Sequence, residues 1–136
     1  MAKIRHLAIV TTDPARLASF YQQVFELEVL HRAENGSIFM TDGYLNLALL
    51  LNKAEGKPSG LNHFGFHVDD AEDIARRFED LGMPGPKDRP PDRHYAQQRA
   101  FDPDGNNFDI SVNGYETVRP ERVAPADDSA DDKETV

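Results

Sequence analysis

The chain has 136 residues, 24 acids against 15 lysines and arginines, a net charge of −9 and no cysteine. That length fits one domain with a real core, burying roughly two-thirds of its unfolded surface without disulfides. So acidic a surface (pI near 4.9) repels nucleic acid. The N-terminus shows no secretory pattern, and no apolar run nears the ~18 residues of a membrane span. The expectation is a cytoplasmic protein acting on small molecules, with neither nucleic acid nor membrane as partner.

Ile4–Val10 alternates as a strand, with Ile4, His6, Ala8 and Val10 on one face and Arg5, Leu7 and Ile9 on the other. Asp13-Pro14 then starts a helix: the carboxylate caps, and proline in the first turn sacrifices no hydrogen bond. Leu17, Phe20, Tyr21, Val24 and Phe25 give that helix a wide apolar stripe, expected to lie against a sheet. Strands follow at Glu28–Arg32 and Ser37–Met40 around the Asn35-Gly36 turn. After Asp42-Gly43 comes a strand at Tyr44–Leu51, with Leu45, Leu47 and Leu49 opposite Tyr44, Asn46 and Ala48. Asn52–Gly60, with Gly56, Pro58 and Gly60, reads as a linker.

Beyond it the order repeats. Leu61–Val68 is a strand with His63, Gly65 and His67 on one face and Phe64, Phe66 and Val68 on the other. Asp69-Asp70 caps a helix over Ala71–Leu81, with Ile74, Phe78 and Leu81 on one side, and Gly82 ends it. Met83–Arg93 reads as a loop with room for one very short strand. Tyr95–Phe101 and Asn107–Val112 are strands joined through Asp102-Pro103-Asp104-Gly105. Glu116–Val136 carries seven acids and three bases with two prolines, the composition of a disordered, solubilising tail.

His6 and His63 lie 57 residues apart, as do the caps Asp13 and Asp70, so the halves read as two copies of one βαβββ module. Asp109 alternates with Phe108 and Ile110 on the closing strand, and a carboxylate buried there needs a partner. A single strand histidine is more often a core or surface residue than a ligand. Two in register across a repeat, with an inward acid, favour a divalent cation held by His6, His63 and Asp109. His67 shares a face with His63 but lies about 13 Å along an extended strand, too far for the same ion. It is the candidate for acid–base catalysis. His31 and His94 default to the surface.

The paired modules, Arg-His-Leu-Ala-Ile at 5–9, Asn-His-Phe-Gly-Phe-His-Val-Asp-Asp at 62–70 and Asp102-Pro103-Asp104-Gly105-Asn106 together resemble the vicinal oxygen chelate superfamily. That group includes glyoxalase I, extradiol dioxygenases, methylmalonyl-CoA epimerase and antibiotic resistance proteins. The resemblance implies an α+β fold: two βαβββ modules, about 3–52 and 61–113, forming a cupped, incompletely closed mixed sheet barrel. Residues 1–113 would be one domain and 114–136 the tail. In the metal-binding members, the first and last strands of each module each give a ligand, which carries over onto His6, Asn46, His63 and Asp109. The Asn46 match assumes one residue of slip, since the turn offset of 62 sets Asp109 over Leu47. Asn46 departs from the glutamate of glyoxalase I, which also transfers protons there, and Asp109 is one methylene shorter than the usual glutamate.

The resemblance therefore implies a metal-dependent enzyme chelating a small vicinally oxygenated substrate through Fe2+, Zn2+, Ni2+ or Mn2+. Ring cleavage with O2, lyase or isomerase chemistry and epimerisation remain open. The metal ligands are His6, His63, Asp109 and Asn46; His67 is the acid or base; Tyr44, Asn46, Tyr95 and Arg99 contact substrate. A homodimer is expected. The rival is a non-catalytic module that binds a small molecule or antibiotic, against which the histidines count, since resistance proteins of that kind lack these ligands.

Overall fold

The computed structural model describes residues 1–53, 58–91 and 96–118. Ten elements follow in order: β1 (Lys3–Thr11), α1 (Pro14–Phe25), β2 (Glu28–Arg32), β3 (Ile38–Thr41), β4 (Asn46–Leu51), β5 (Gly60–His67), α2 (Ala71–Asp80), β6 (Lys87–Asp88), β7 (Gln98–Phe101) and β8 (Asn107–Ser111). The two expected βαβββ runs are thus present, in an α+β arrangement of two helices with parallel and antiparallel strand pairs. The contacts divide into two compact units, one of Met1–His6 with His63–Tyr115, the other of Leu7–Asn62 with the chain from Glu116. Among the described residues no helix is long and apolar enough to cross a membrane.

In the unit built on Leu7–Asn62 the strand order is β2-β3-β4-β1. β3 pairs antiparallel with both neighbours, Met40 facing Val29 and Leu47, with a bulge between Val29 and His31. Gly36 and Gly43 take φ of +100° and +99° in the two turns, the left-handed backbone their sequence positions predicted. Asp13 caps α1 by accepting the Arg16 N–H at 3.1 Å. The core joins Ala18, Val29, Ile38, Met40, Leu47 and Leu49, with Leu7, Ile9, Leu17 and Tyr21 packed around it.

The wide apolar stripe expected of α1 is only half used. Leu17, Ala18 and Tyr21 meet the sheet, while Phe20, Val24 and Phe25 are 50–62% exposed. The sheet contact ends at Tyr21, so the last turn carries its apolar residues into solvent, where the Phe20, Tyr21 and Phe25 rings pack on one another at 5.4–6.5 Å. β4 starts at Asn46 rather than Tyr44, because Asp42 Oδ1 accepts the Tyr44 and Leu45 N–H groups and holds them in the turn.

In the other unit the order is β1-β5-β8-β7-β6. β5 and β8 run parallel, with Phe64 beside Phe108, Gly65 beside Asp109 and Phe66 beside Ile110. β7 and β8 are antiparallel, setting Arg99 opposite Asp109. Phe64 and Phe66 pack with Phe108, ring centroids 5.3–5.5 Å apart, and Ile74 and Phe78 of α2 cover them. Leu81, expected on that apolar side, sits at the C-cap of α2 and is 81% exposed. The very short strand anticipated within 83–93 is β6.

The Asp102–Asn106 turn is tied by its own side chain: Asp102 Oδ1 accepts the Asp104 and Asn106 N–H groups at 2.9 Å, and Gly105 takes φ +90°. This turn sets where β8 begins and hence which face Asp109 occupies. The strand expected over Tyr95–Phe101 is formed from Gln98, and Tyr95 and His94 lie outside the described residues.

Candidate metal centre

Strand alternation carries the site. With Phe64, Phe66, Phe108 and Ile110 committed to the helix-covered side, His63, Gly65 and Asp109 are turned to the opposite side. His6, from the start of β1, belongs to the same unit. All three polar side chains are buried, with His6 and Asp109 at 1% and His63 at 7% exposure. One ligand atom from each lies within 4.8 Å of the others. Two imidazole nitrogens and a carboxylate oxygen at that separation are a donor set that fits zinc, non-haem iron(II) or manganese.

The carboxylate is held on both oxygens. His63 Nε2 lies 3.1 Å from Asp109 Oδ2. Arg99 donates to Asp109 Oδ1 from Nε at 2.9 Å and Nη2 at 2.7 Å, and Arg89 Nη1 stands 3.6 Å from the same oxygen. Burial pushes the Asp109 carboxyl up, but the hydrogen bond and charge of His63, followed by Arg99, outweigh it and leave the group below the usual carboxylate range. Arg99 Nη2 also lies 3.5 Å from His63 Nε2, so one guanidinium spans two of the three ligand residues.

His6 is fixed by rings. Its centroid lies 5.4 Å from that of His63, and the Tyr115 ring stacks on it at 4.8 Å with an interplanar angle of 5°. That stack depends on Gly65: a Cβ there would stand 2.4 Å from the Tyr115 hydroxyl and 3.0 Å from the His6 Cβ. Gly65 is thus the point in β5 where another side chain comes close, a common reason for glycine within a strand.

The other sequence candidates fall in different places. The ring of His67 lies against Gly114, and its Nε2–H donates to the Val112 carbonyl at 3.2 Å. Asn46 and Tyr44 belong to the Leu7–Asn62 unit. Asn46 is buried, with Nδ2 donating to the Glu116 carbonyl at 2.8 Å, whereas Tyr44 is 48% exposed. Leu47 is part of the apolar core there, so the one-residue slip assumed for Asn46 is what selects a polar side chain at that level of β4.

Arg89 and Tyr115 were missed by sequence reasoning. Arg89 sits in a Pro-rich loop with no periodic signal. Tyr115 fell within the segment assigned to the tail, although an aromatic residue beside Gly114 was a clue that the chain was still packing. Residues 114–117 are in fact tied down: Gly114 N–H donates to Ser111 Oγ, and the Glu116 and Thr117 carbonyls accept from Asn46 and Thr41. The acidic run beyond Val118 lies outside the described residues.

Comparison with known proteins gives the family. The model of the Glyoxalase/Bleomycin resistance protein/Dioxygenase superfamily matches residues 3–110. No curated protein matches. Among solved structures, a 2,3-dioxygenase from Pseudomonas sp. KL28 superposes with a TM-score of 0.63 at 15% identity, over 80% of this chain and 40% of its own. A methylmalonyl-CoA epimerase variant from Streptomyces coelicolor, in complex with 2-nitronate-propionyl-CoA, gives 0.56 at 19% identity, over 84% and 97%. The Mn(II)-bound glyoxalase from Novosphingobium aromaticivorans gives 0.58 at 17% identity, over 79% and 36%. The chain thus spans well under half of the dioxygenase and of the glyoxalase but nearly all of the epimerase, and likenesses at these identities speak for the fold alone. The match over residues 3–110, carried by both βαβββ runs and the closing strand with Asp109, makes this chain a member of the glyoxalase/bleomycin resistance protein/dioxygenase superfamily.

Proposed function

We propose that the protein is a metal-dependent enzyme that binds a small, vicinally oxygenated substrate at His6, His63 and Asp109. The observation that supports this best is the convergence of two imidazoles and one carboxylate, all buried, with ligand atoms within 4.8 Å of one another. Burying three such groups together is costly for an apolar fold unless something uses them. A divalent ion there would act as a Lewis acid on substrate oxygens.

The chain's own residues have definable tasks. Asp109 enters as the anion, kept ionised by His63 and Arg99. Tyr115 holds the His6 ring plane. His67 is the proposed proton-transfer group; with Nε2–H donated to Val112, Nδ1 is the nitrogen that accepts a proton. The proposal extends to a homodimer in the cytoplasm, which leaves the sheet edges β2 and β6 for a partner to cover.

A second reading, a binding module without turnover, draws on one observation: Arg99 pairs with Asp109 at 2.7 Å. Thermal unfolding with added Mn2+, Zn2+, Ni2+ or Fe2+ separates the two. A rise in Tm that disappears in His63→Ala supports the enzyme reading, and oxygen uptake by the iron form on catechols selects ring cleavage. No ion-dependent shift in the intact protein favours the binding module.

A further inference from the structure

The arginines at Asp109 carry a consequence of their own. Asp109 Oδ1 accepts two bonds from Arg99 and faces Arg89 at 3.6 Å, while Arg99 Nη2 also reaches His63 Nε2 at 3.5 Å. Arg99 and a ligated ion would therefore use the same carboxylate. A divalent ion at Asp109 would bring two positive charges onto one carboxylate, a like-charge approach that a low-dielectric site disfavours unless the guanidinium moves or an anion joins.

The three groups differ in freedom. The side chain of Asp109 is 2% exposed and fixed in β8, whereas Arg99 is 34% and Arg89 19% exposed. Arg99 is therefore the member that can swing away without opening the core. A guanidinium released from a carboxylate keeps its planar fork, which matches the paired oxygens of another carboxylate or of a phosphonate.

We propose that Arg99 is the internal counter-ion of the metal centre: it holds Asp109 in the metal-free protein, leaves it when the ion binds, and with Arg89 then grips an anionic oxygen group on the small molecule. This rests on the metal reading above and adds to it a substrate class, one bearing a carboxylate or phosphonate next to its chelating oxygens. Because guanidinium and ion compete for one carboxylate, an anion that draws Arg99 away strengthens ion binding, and the ion strengthens anion binding by the same factor.

The test is calorimetric titration of metal-free protein with Mn2+, alone and with methylphosphonate or acetate present, on the intact protein and on Arg99→Gln, Arg99→Lys, Arg89→Gln and His63→Ala. Arg99→Gln should bind Mn2+ at least tenfold more tightly, with Arg99→Lys in between. The anions should tighten Mn2+ binding several-fold in the intact protein, less in Arg89→Gln and not in Arg99→Gln. Whichever anion acts identifies the preferred group. Should His63-dependent Mn2+ binding be unchanged or weaker in Arg99→Gln and Arg99→Lys, or should neither anion alter it, the exchange is overturned while the metal centre stands. Binding that ignores His63→Ala overturns both.

Discussion

Gly65→Ala is a single-methyl change whose cost can be worked from the structure. The new Cβ would stand 2.4 Å from the Tyr115 hydroxyl, 2.9 Å from its Cζ and 3.0 Å from the His6 Cβ. The φ of Gly65 is not in the left-handed region, so alanine suits the backbone and gains roughly 0.5 kcal/mol over glycine in a strand. Against this stands overpacking of about 1–3 kcal/mol, since Tyr115 must leave its stack on His6 or β5 must shift. The net loss is about 1–2 kcal/mol, or roughly 4–8 °C in Tm for a domain of this size. Urea unfolding of Gly65→Ala, Tyr115→Ala and the double variant gives a cycle. The alanine should cost more with Tyr115 present than with the ring removed, where only the 3.0 Å approach to the His6 Cβ remains, a coupling of about 1 kcal/mol. If the two changes simply add, or if Gly65→Ala is as stable as the parent, Tyr115 does not lie across β5 and the account of how His6 is held is wrong.

Acid should expose the Asp109 contribution. Its carboxyl is lower in the folded chain than its ordinary value near 3.8, so the stabilisation is fully present above that value and lost as pH falls through the folded one. The stability gap between the parent and Asp109→Asn should therefore hold down to about pH 4 and close below it; a gap that closes nearer neutrality would contradict the pairing. Gly114, at φ +83°, is expected to resist alanine: the added Cβ meets the His67 ring at 3.0 Å and the backbone strain adds about 1–2 kcal/mol, readable as a lower urea midpoint. Truncation locates the end of the fold. Removing 119–136 should leave Tm unchanged, whereas removing 114–136 takes away the Tyr115 stack and the carbonyls that Asn46 and Thr41 use, and should lower it by several degrees. Equal melting of the two truncated chains would mean those contacts contribute nothing.

What the sequence made legible was whatever local chemistry decides. The Asp13 and Asp70 caps, the glycine turns and the alternation of Phe64 and Phe66 with His63 and Gly65 all survive into the structure, because each depends on neighbours within a few residues. From the alternation and the 57-residue repeat followed the grouping of His6, His63 and Asp109. Less legible was anything set by how far an element reaches. The stripe on α1 has the periodicity of a core helix, but periodicity says nothing of where the sheet ends, and Val24 and Phe25 run past it. Arg89 and Arg99 reach Asp109 from a loop and a neighbouring strand; only the β7–β8 register, with Arg99 opposite Asp109, shows why one of them arrives there. Tyr115 was hidden by composition, since the acidic residues around it outweighed one aromatic side chain.

The most direct measurement is the metal content of the purified protein after saturation and desalting, by elemental analysis, for the intact chain and for His6→Ala, His63→Ala and Asp109→Ala. The account predicts close to one divalent ion per chain in the intact protein and a loss of most of it in each variant that remains folded. An intact protein that retains no stoichiometric ion, or a folded His63→Ala that retains as much as its parent, would contradict a metal centre at these three residues.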